Sequence, residues 1–237
     1  MEYRCVATSV AGFVQQLASC YQPHGYWFYV SGRIPPGKEA KAVDEKLIEK
    51  YRIDISRSSR ARWKAASMAN VHYLRYEDQF LLLATHGHHP FFDAEAQNIR
   101  DARRVPIKFA GYSISVAKGD YKPKRLTNGA LVHDNKWHAR VQISKDRYRD
   151  LKAYLLDIAP HRSAEYLAAE LYCVPFEPYA PVRQQLLLLI RHINRRRESA
   201  RLEPIHFSVL RYRRRIVRPF EPPFSPGNAG SGGWQPA

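Results

Sequence analysis

The pattern of apolar residues changes at Ser144, and this change restricts the folds that the chain can adopt. Before Ser144, β-branched and aromatic runs are interrupted by two helical stripes, one starting after Ser9 and one over 42–51. From Ser144 to residue 203 the apolar repeats have helical spacing. The strand-like runs are 3–8, 26–34, 71–76, 79–85, 107–117 and 137–143. We therefore expect an α+β fold: a mixed or antiparallel sheet with two N-terminal helices, a C-terminal helical section and a basic C-terminal arm.

The same pattern divides the chain into four segments. We expect a sheet domain over 1–143, a helical section over 144–203 packed on it, and a basic arm over 204–218. Residues 219–237 are rich in proline, glycine and serine, a composition typical of a disordered tail. With 237 residues, 45% of them hydrophobic, the chain can bury a core as one large domain or two small ones.

Arginine is concentrated near the C-terminal end. Between Arg183 and Arg218 there are eleven arginines and two acidic residues, a local charge of +9 within a chain of net charge +16. Such clustering does not stabilise a fold, because like charges repel, but it attracts polyanions. The composition therefore favours nucleic-acid binding as the class of function.

Other features narrow the cellular setting. The three cysteines are widely spaced and form no CxxC pair, so neither a structural zinc site nor a disulfide framework is indicated. The first residues lack the apolar stretch of a signal peptide. The longest apolar run, 186–190, is far shorter than a membrane span. We expect a cytoplasmic protein with no membrane partner.

The helix expected over 181–200 has two unlike faces. Its apolar stripe, which includes Val182 and Ile193, lies opposite Arg191 and Arg195 on a helical wheel. One face would pack on the core while the other presents guanidinium groups. Arg196 lies in a triplet of arginines at the helix end, where cations also interact favourably with the helix dipole, so capping is the alternative role there.

The run from Arg211 to Arg215 has a spacing suited to phosphates. In an extended chain, Arg211, Arg213 and Arg215 project to one side about 7 Å apart, which matches phosphates along a single strand. Tyr212 and Arg214 then face the other way, where the ring can stack on a base. Few acids lie nearby to pair with these arginines, so we expect contact with a polyanion.

Two further patches mix cations with aromatic or hydroxyl groups. The first contains Arg57, Arg60, Arg62, Trp63 and Lys64, and could bind phosphate while the indole stacks on a base. The alternative is a short surface helix with its indole in the core. The second patch lies in the long loop before 137–143 and contains Lys122, Lys124 and Arg125.

A histidine pair is the one motif that indicates catalysis. His86 and His88 follow the run 79–85, and residues i and i+2 on a strand face the same way and can share a metal ion. The pair resembles the metal-binding motif of the HUH family of rolling-circle replication and relaxase nucleases. That resemblance implies Mg²⁺ or Mn²⁺ on the two histidines and a downstream tyrosine, Tyr148 or Tyr154, as the nucleophile.

The sequence thus predicts a protein that binds RNA, or single-stranded or distorted DNA, by neutralising phosphates and stacking on bases, without a cofactor. Such a binder would suit a ribonucleoprotein or a mobile genetic element. Two alternatives stay open. One is the metal-dependent nuclease or strand transferase of the HUH type, and the other is a non-enzymatic adaptor that binds an acidic protein partner.

Overall fold

The first helical segment begins as the sequence predicts. The computed structural model describes residues 3–119, 124–125, 127, 129–132 and 134–221. Ser9 is the N-cap of α1 (Val10–Gln15), and its hydroxyl accepts a hydrogen bond from the Gly12 N–H at 3.1 Å. The helix continues as a π-helical segment to Tyr21 and a 3₁₀ turn to His24, and ends at Gly25 with φ of 94°.

A four-stranded antiparallel sheet lies at the centre of the N-terminal half. Its order is β2-β3-β1-β4, with bounds β1 Phe28–Arg33, β2 Val71–Tyr76, β3 Gln79–Ala84 and β4 Arg100–Asp101. The expected strand 3–8 is present only as an isolated bridge between Val6 and Arg75. There the backbone of Ala7 and Cys5 bonds to Arg75 and covers the edge of β2.

A second antiparallel sheet contains β5 (Ile107–Phe109), β6 (Tyr112–Lys118) and β9 (Trp137–Ile143), in the order β5-β6-β9. The single strand expected over 107–117 is wrong. The chain turns at Ala110 and Gly111, which both have positive φ, and forms a hairpin. Two short strands, β7 (Lys124–Arg125) and β8 (Leu131–Val132), pair with each other.

Six more helices complete the described chain. They are α2 (Ala40–Lys50), α3 (Arg57–Ala65), α4 (Pro90–Ala94), α5 (Lys145–Ile158), α6 (Ala164–Tyr172) and α7 (Ala180–Ser199). Helix α7 lies along the free edge of β9. The Gln185 side chain accepts a hydrogen bond from the Ile143 N–H at 2.8 Å and donates one to the Ile143 carbonyl at 3.1 Å. This amide satisfies the strand edge as a neighbouring strand would.

Buried side chains form two clusters, which take opposite faces of the first sheet. Alternate residues of β2 divide between them, because Tyr73 belongs to one cluster and Leu74 to the other. The smaller cluster packs under α2 and α4. The larger one joins the second sheet to the C-terminal helices, and its members include Phe13, Leu17, Ile114, Val141, Leu155, Leu167, Leu189 and Ile193. The α+β fold with antiparallel sheets is therefore confirmed.

Arg197 fixes the C-terminal end of α7. Arg197 is 3% exposed, whereas Arg195 and Arg196, the other members of the arginine triplet, are exposed. Its guanidinium donates to the carbonyls of Ala159 at 2.9 Å, Arg162 at 2.7 Å and Glu203 at 2.6 Å. The helix end is thus bound both to the α5–α6 connection and to the chain that follows it.

Replacing Arg197 with Ala should lower the free energy of unfolding by about 3 kcal/mol, because three carbonyls, one of them on the buried Ala159, lose a charged donor. Arg196→Ala is the matched control. Its side chain is exposed, so the change should stay within about 0.5 kcal/mol. Urea unfolding followed by circular dichroism measures both, and equal losses for the two variants would contradict the bracing role of Arg197.

Candidate nucleic-acid interface

The basic arm is held against the body of the protein, and it is not a strand. Residues 204–218 contain one 3₁₀ turn, Phe207–Val209. Arg211 is an anchor, because its Nη2 donates to the carbonyls of Val174 and Phe176, each at 2.8 Å. Its Nη1 lies 3.8 Å from a carboxylate oxygen of Glu177. The expected row of Arg211, Arg213 and Arg215 along one side of a strand is therefore wrong.

The arm also contacts the N-terminal segment. The Gln15 side chain donates to the Val217 carbonyl at 2.8 Å and accepts from the Val217 N–H at 3.2 Å. Further along, the Thr8 N–H donates to the Pro219 carbonyl at 2.9 Å. These contacts hold the part of the expected tail that is described, 219–221, whereas 222–237 lie outside the described residues.

Arginines and tyrosines meet where the arm crosses the start of α7. The Arg183 guanidinium lies 4.2 Å from the centre of the Tyr212 ring, and the Arg214 guanidinium lies 4.4 Å from the Tyr179 ring. Burial raises the pKa of the Tyr179 hydroxyl, and the Arg214 charge opposes that rise. We call this surface the arm cluster, which comprises Tyr179, Arg183, Tyr212, Arg213, Arg214 and Arg215.

The arm cluster presents both charge and an aromatic surface to solvent. Tyr212 is 60% exposed, and Arg213, Arg214 and Arg215 are all exposed. Within the described part of the chain, none of these three guanidinium groups is in an ion pair with a carboxylate; Glu177 instead accepts from the Arg215 backbone N–H at 2.9 Å. The cluster can therefore contact phosphate without first breaking a salt bridge.

The outer face of α7 agrees with the sequence prediction. Arg191, Arg195 and Arg196 are exposed, and the apolar stripe of the helix is buried. Burial lowers the pKa of His192, and the charges of Lys152 on α5 and Arg195 lower it further. The two helices therefore place positive charge side by side.

The patch on α3 is only partly available to a ligand. Arg60 turns inward and donates to the carbonyls of Ile53 at 2.6 Å and Val71 at 3.3 Å. It therefore has a structural role and not the predicted phosphate contact. The short surface helix of the alternative is present as α3, but its Trp63 is only half-buried, 6.0 Å from the His89 ring, and belongs to neither core cluster. The exposed cations of the patch are Arg57, Arg62 and Lys64.

The loop patch lies largely beyond what the structure describes. Lys124 and Arg125 are the two residues of β7, and only their backbone is among the described parts of the structure. Lys122 lies outside the described residues altogether. These three predictions therefore have no structural test.

The histidine pair does not sit on a strand, which corrects the premise of the metal site. Strand β3 ends at Ala84, and His86 lies in a bend with Gly87 at φ of 134°. A side chain at Gly87 would come within 2.6 Å of the Ala69 nitrogen, because two backbone segments meet there. The His88 backbone bonds to Ser67 and Ala69. With the chain turned at Gly87, His86 and His88 lose the alternation that would aim them at one ion.

Neither candidate nucleophile is prepared for attack. Tyr148 is half-buried against α7, its hydroxyl donates to the Gln185 carbonyl at 3.3 Å, and burial raises its pKa. Tyr154 is exposed, and a hydrogen bond with Tyr166 raises its pKa. Over the described residues, no group of three or more His, Cys, Asp or Glu side chains could hold a metal ion.

A cluster around His72 escaped the sequence analysis. The Tyr73 N–H donates to the Tyr3 hydroxyl at 3.1 Å, and that hydroxyl donates to the Tyr73 carbonyl at 3.2 Å. His72 Nδ1 lies 2.8 Å from the same hydroxyl, so the Tyr3 side chain joins the imidazole to the backbone of β2. One histidine inside a strand pattern carries no motif, so the pattern alone does not indicate this cluster.

Aromatic rings and a cation enclose His72. The Tyr21 and Tyr26 rings lie 4.7 and 4.8 Å from its ring centre. Burial lowers the pKa of His72 to about 3, and the nearby Arg60 charge acts in the same direction. The imidazole is therefore neutral throughout the physiological pH range.

This histidine should make stability depend on pH. The pKa of His72 falls from 6.5 to about 3 on folding, so the unfolded chain binds the extra proton between those values. Stability should then decrease as pH falls from about 6.5 towards 3, by at most about 1.4 kcal/mol per pH unit. His72→Phe should flatten the curve from urea unfolding, whereas the exposed-site control His161→Gln should leave it unchanged; parallel curves for wild type and His72→Phe would refute this.

Comparison with known protein families and with curated proteins finds no match to the chain. In the part of the chain that the structure describes, no helix is long and apolar enough to cross a membrane. The class of function therefore has to come from the chemistry of the surfaces described above.

Proposed function

We propose that the protein binds nucleic acid, RNA or single-stranded or distorted DNA, through the phosphate backbone at the arm cluster. The observation that carries this proposal is the group Arg213, Arg214 and Arg215 beside the exposed ring of Tyr212. Guanidinium groups bind phosphate with two parallel hydrogen bonds, and a tyrosine ring stacks on bases of any sequence. The surface combines both contacts in one place.

The charge balance of the arginine-rich section supports the same assignment. Of its eleven arginines, Arg211 and Arg218 contact carboxylates, and Arg197 is buried and donates to backbone carbonyls. The other eight have no ion pair within the described residues. Most of the section's positive charge thus has no carboxylate partner among the described residues, and a polyanionic ligand would supply the balancing negative charge.

Of the two alternatives from the sequence, neither gains a specific observation. An acidic protein could also bind exposed arginines and contact the Tyr212 ring. A metal-dependent nuclease would need ligands brought together, and His86 and His88 lie at a bend and not along a strand. Nucleic-acid binding is the function that the geometry supports best.

Affinity for a single-stranded oligonucleotide should fall steeply with salt. If roughly six phosphates are neutralised, the log–log slope of the association constant against salt should be about −4. Fluorescence anisotropy of a labelled strand between low and moderate salt gives this slope. A slope near zero would rule out phosphate neutralisation as the basis of binding.

The arm cluster should matter more than net charge. Arg213→Gln with Arg215→Gln should weaken binding to all sequences similarly and reduce the salt slope by about 1.4, since phosphate contacts carry no base information. Arg33→Gln with Arg149→Gln is the matched control. It also removes two exposed positive charges, but both arginines are within 4 Å of carboxylates at other places in the fold.

Melting temperatures of both double variants would first show that each is folded. Equal weakening by the two pairs would mean that overall charge, and not this surface, governs affinity. No weakening by the arm pair would place the binding site elsewhere.

A further inference from the structure

Two tryptophans and an arginine form a second aromatic surface, far from the arm in sequence. The Trp27 and Trp137 rings are 5.2 Å apart at an angle of 51°. The Arg103 guanidinium lies 4.6 Å from the centre of the Trp27 ring and 5.6 Å from those of Trp137 and Phe28. We call these four residues the tryptophan platform.

The guanidinium plane in the platform has a fixed orientation. Asp101 binds it with two oxygens, one 3.0 Å from Nε and the other 2.7 Å from Nη2. Asp101 is itself placed by β4, where it is opposite Phe28 of β1. The backbone next to it is bound too, because the Ala102 N–H donates to the Trp27 carbonyl at 2.8 Å. Arg103 is therefore ordered before any ligand arrives.

The indole of Trp27 is equally constrained. Its Nε1 donates to the Gln22 carbonyl at 2.9 Å, which fixes the ring against the end of the first helical segment. Trp137 is the first residue of β9 and pairs with Lys118 across the sheet. Both rings are half-buried, so part of each surface is open.

The platform remains accessible and is surrounded by positive charge. The Arg103 side chain is 30% exposed, although it is in contact with three rings and a carboxylate. Three exposed cations lie close to it. Arg104 follows Arg103, Lys136 precedes Trp137, and Lys118 pairs with Trp137 across the sheet. None of these three side chains forms an ion pair within the described residues, although the Lys136 backbone N–H donates to Asp134 at 3.2 Å. Arg103, which follows β4, and Lys118, the last residue of β6, thus both lie beside Trp137.

We propose that the tryptophan platform binds an unpaired nucleobase, stacked on the Arg103 guanidinium and the Trp137 ring. Bases stack readily on arginine planes and indoles, and flanking phosphates would meet Arg104 and Lys118. In a duplex both faces of a base are covered by its neighbours, so the platform admits only single-stranded segments. This inference rests on the proposed function and narrows its ligand to single strands.

The test is a substitution that keeps the charge and removes the plane. Arg103→Lys retains the cation but loses the flat guanidinium and its fork to Asp101. It should weaken binding of a single strand of about 16 nucleotides at least about fivefold, and leave duplex binding unchanged. Arg149→Lys, at an exposed arginine of α5 that also contacts carboxylates but lies outside both proposed surfaces, is the control and should change neither. A melting curve of each variant shows that the fold is retained.

Tryptophan fluorescence provides a second readout, independent of affinity. The chain has tryptophans at 27, 63, 137 and 234, so a Trp63→Phe, Trp234→Phe background leaves only the platform pair. A single-stranded oligonucleotide should quench this emission. An abasic strand of equal length, which has phosphates but no bases, should bind without quenching.

The outcomes separate the two proposals. If the arm variants weaken binding while Arg103→Lys binds single strands as tightly as wild type and both strands quench equally, the platform inference is wrong and the proposed function stands. If neither single strand nor duplex binds the wild-type protein, the proposed function fails and the platform inference fails with it.

Discussion

The described fold depends on guanidinium groups that bind backbone carbonyls where no helix or sheet satisfies them. Arg60, Arg197 and Arg211 each donate to two or more carbonyls from segments distant in sequence. An arginine offers five donors in a rigid fork and keeps its charge when partly buried, so it can join several segments at once. Arg197 fixes the end of α7, and Arg211 fixes the arm that follows it.

This arrangement gives the arginine-rich section two tasks. The inward guanidinium groups hold the chain in place, and the outward ones then lie at defined positions on the surface. The contrast is sharpest between adjacent residues, since Arg197 is buried and Arg196 is exposed. Positive charge that would repel itself in an unanchored segment is kept close together by carbonyl contacts of the same section.

Elements that depend on local pattern were predictable from the sequence. The bounds of β2 and β9 are as expected, and Ser9 caps its helix through its hydroxyl, because periodicity and capping involve neighbouring residues only. The hairpin at Ala110 and Gly111 was missed, since an apolar run does not show where the backbone takes positive φ. The bend at Gly87, which takes His86 and His88 off the expected strand, was missed for the same reason.

The exposure of arginines on α7 and on the arm was predictable from the sequence, but their individual contacts were not. Composition indicated a polyanion ligand, and that stays a prediction. Which arginine of a run meets a carbonyl and which meets solvent depends on contacts across the fold, as Arg211 and Arg213 show. The tryptophan platform depends on pairing between β1 and β4 and between β6 and β9, so no spacing along the chain could reveal it.

The contact between Thr8 and Pro219 brings the two ends of the described chain together, and Arg4 lies 3.9 Å from Glu221 beside it. Closely spaced ends permit circular permutation, because a short linker can join them without strain. New ends could be opened at the exposed turn around Gly37. Reporters fused to the new ends at Gly37 would then be far in sequence from the arm, and every arginine of the arm would be retained.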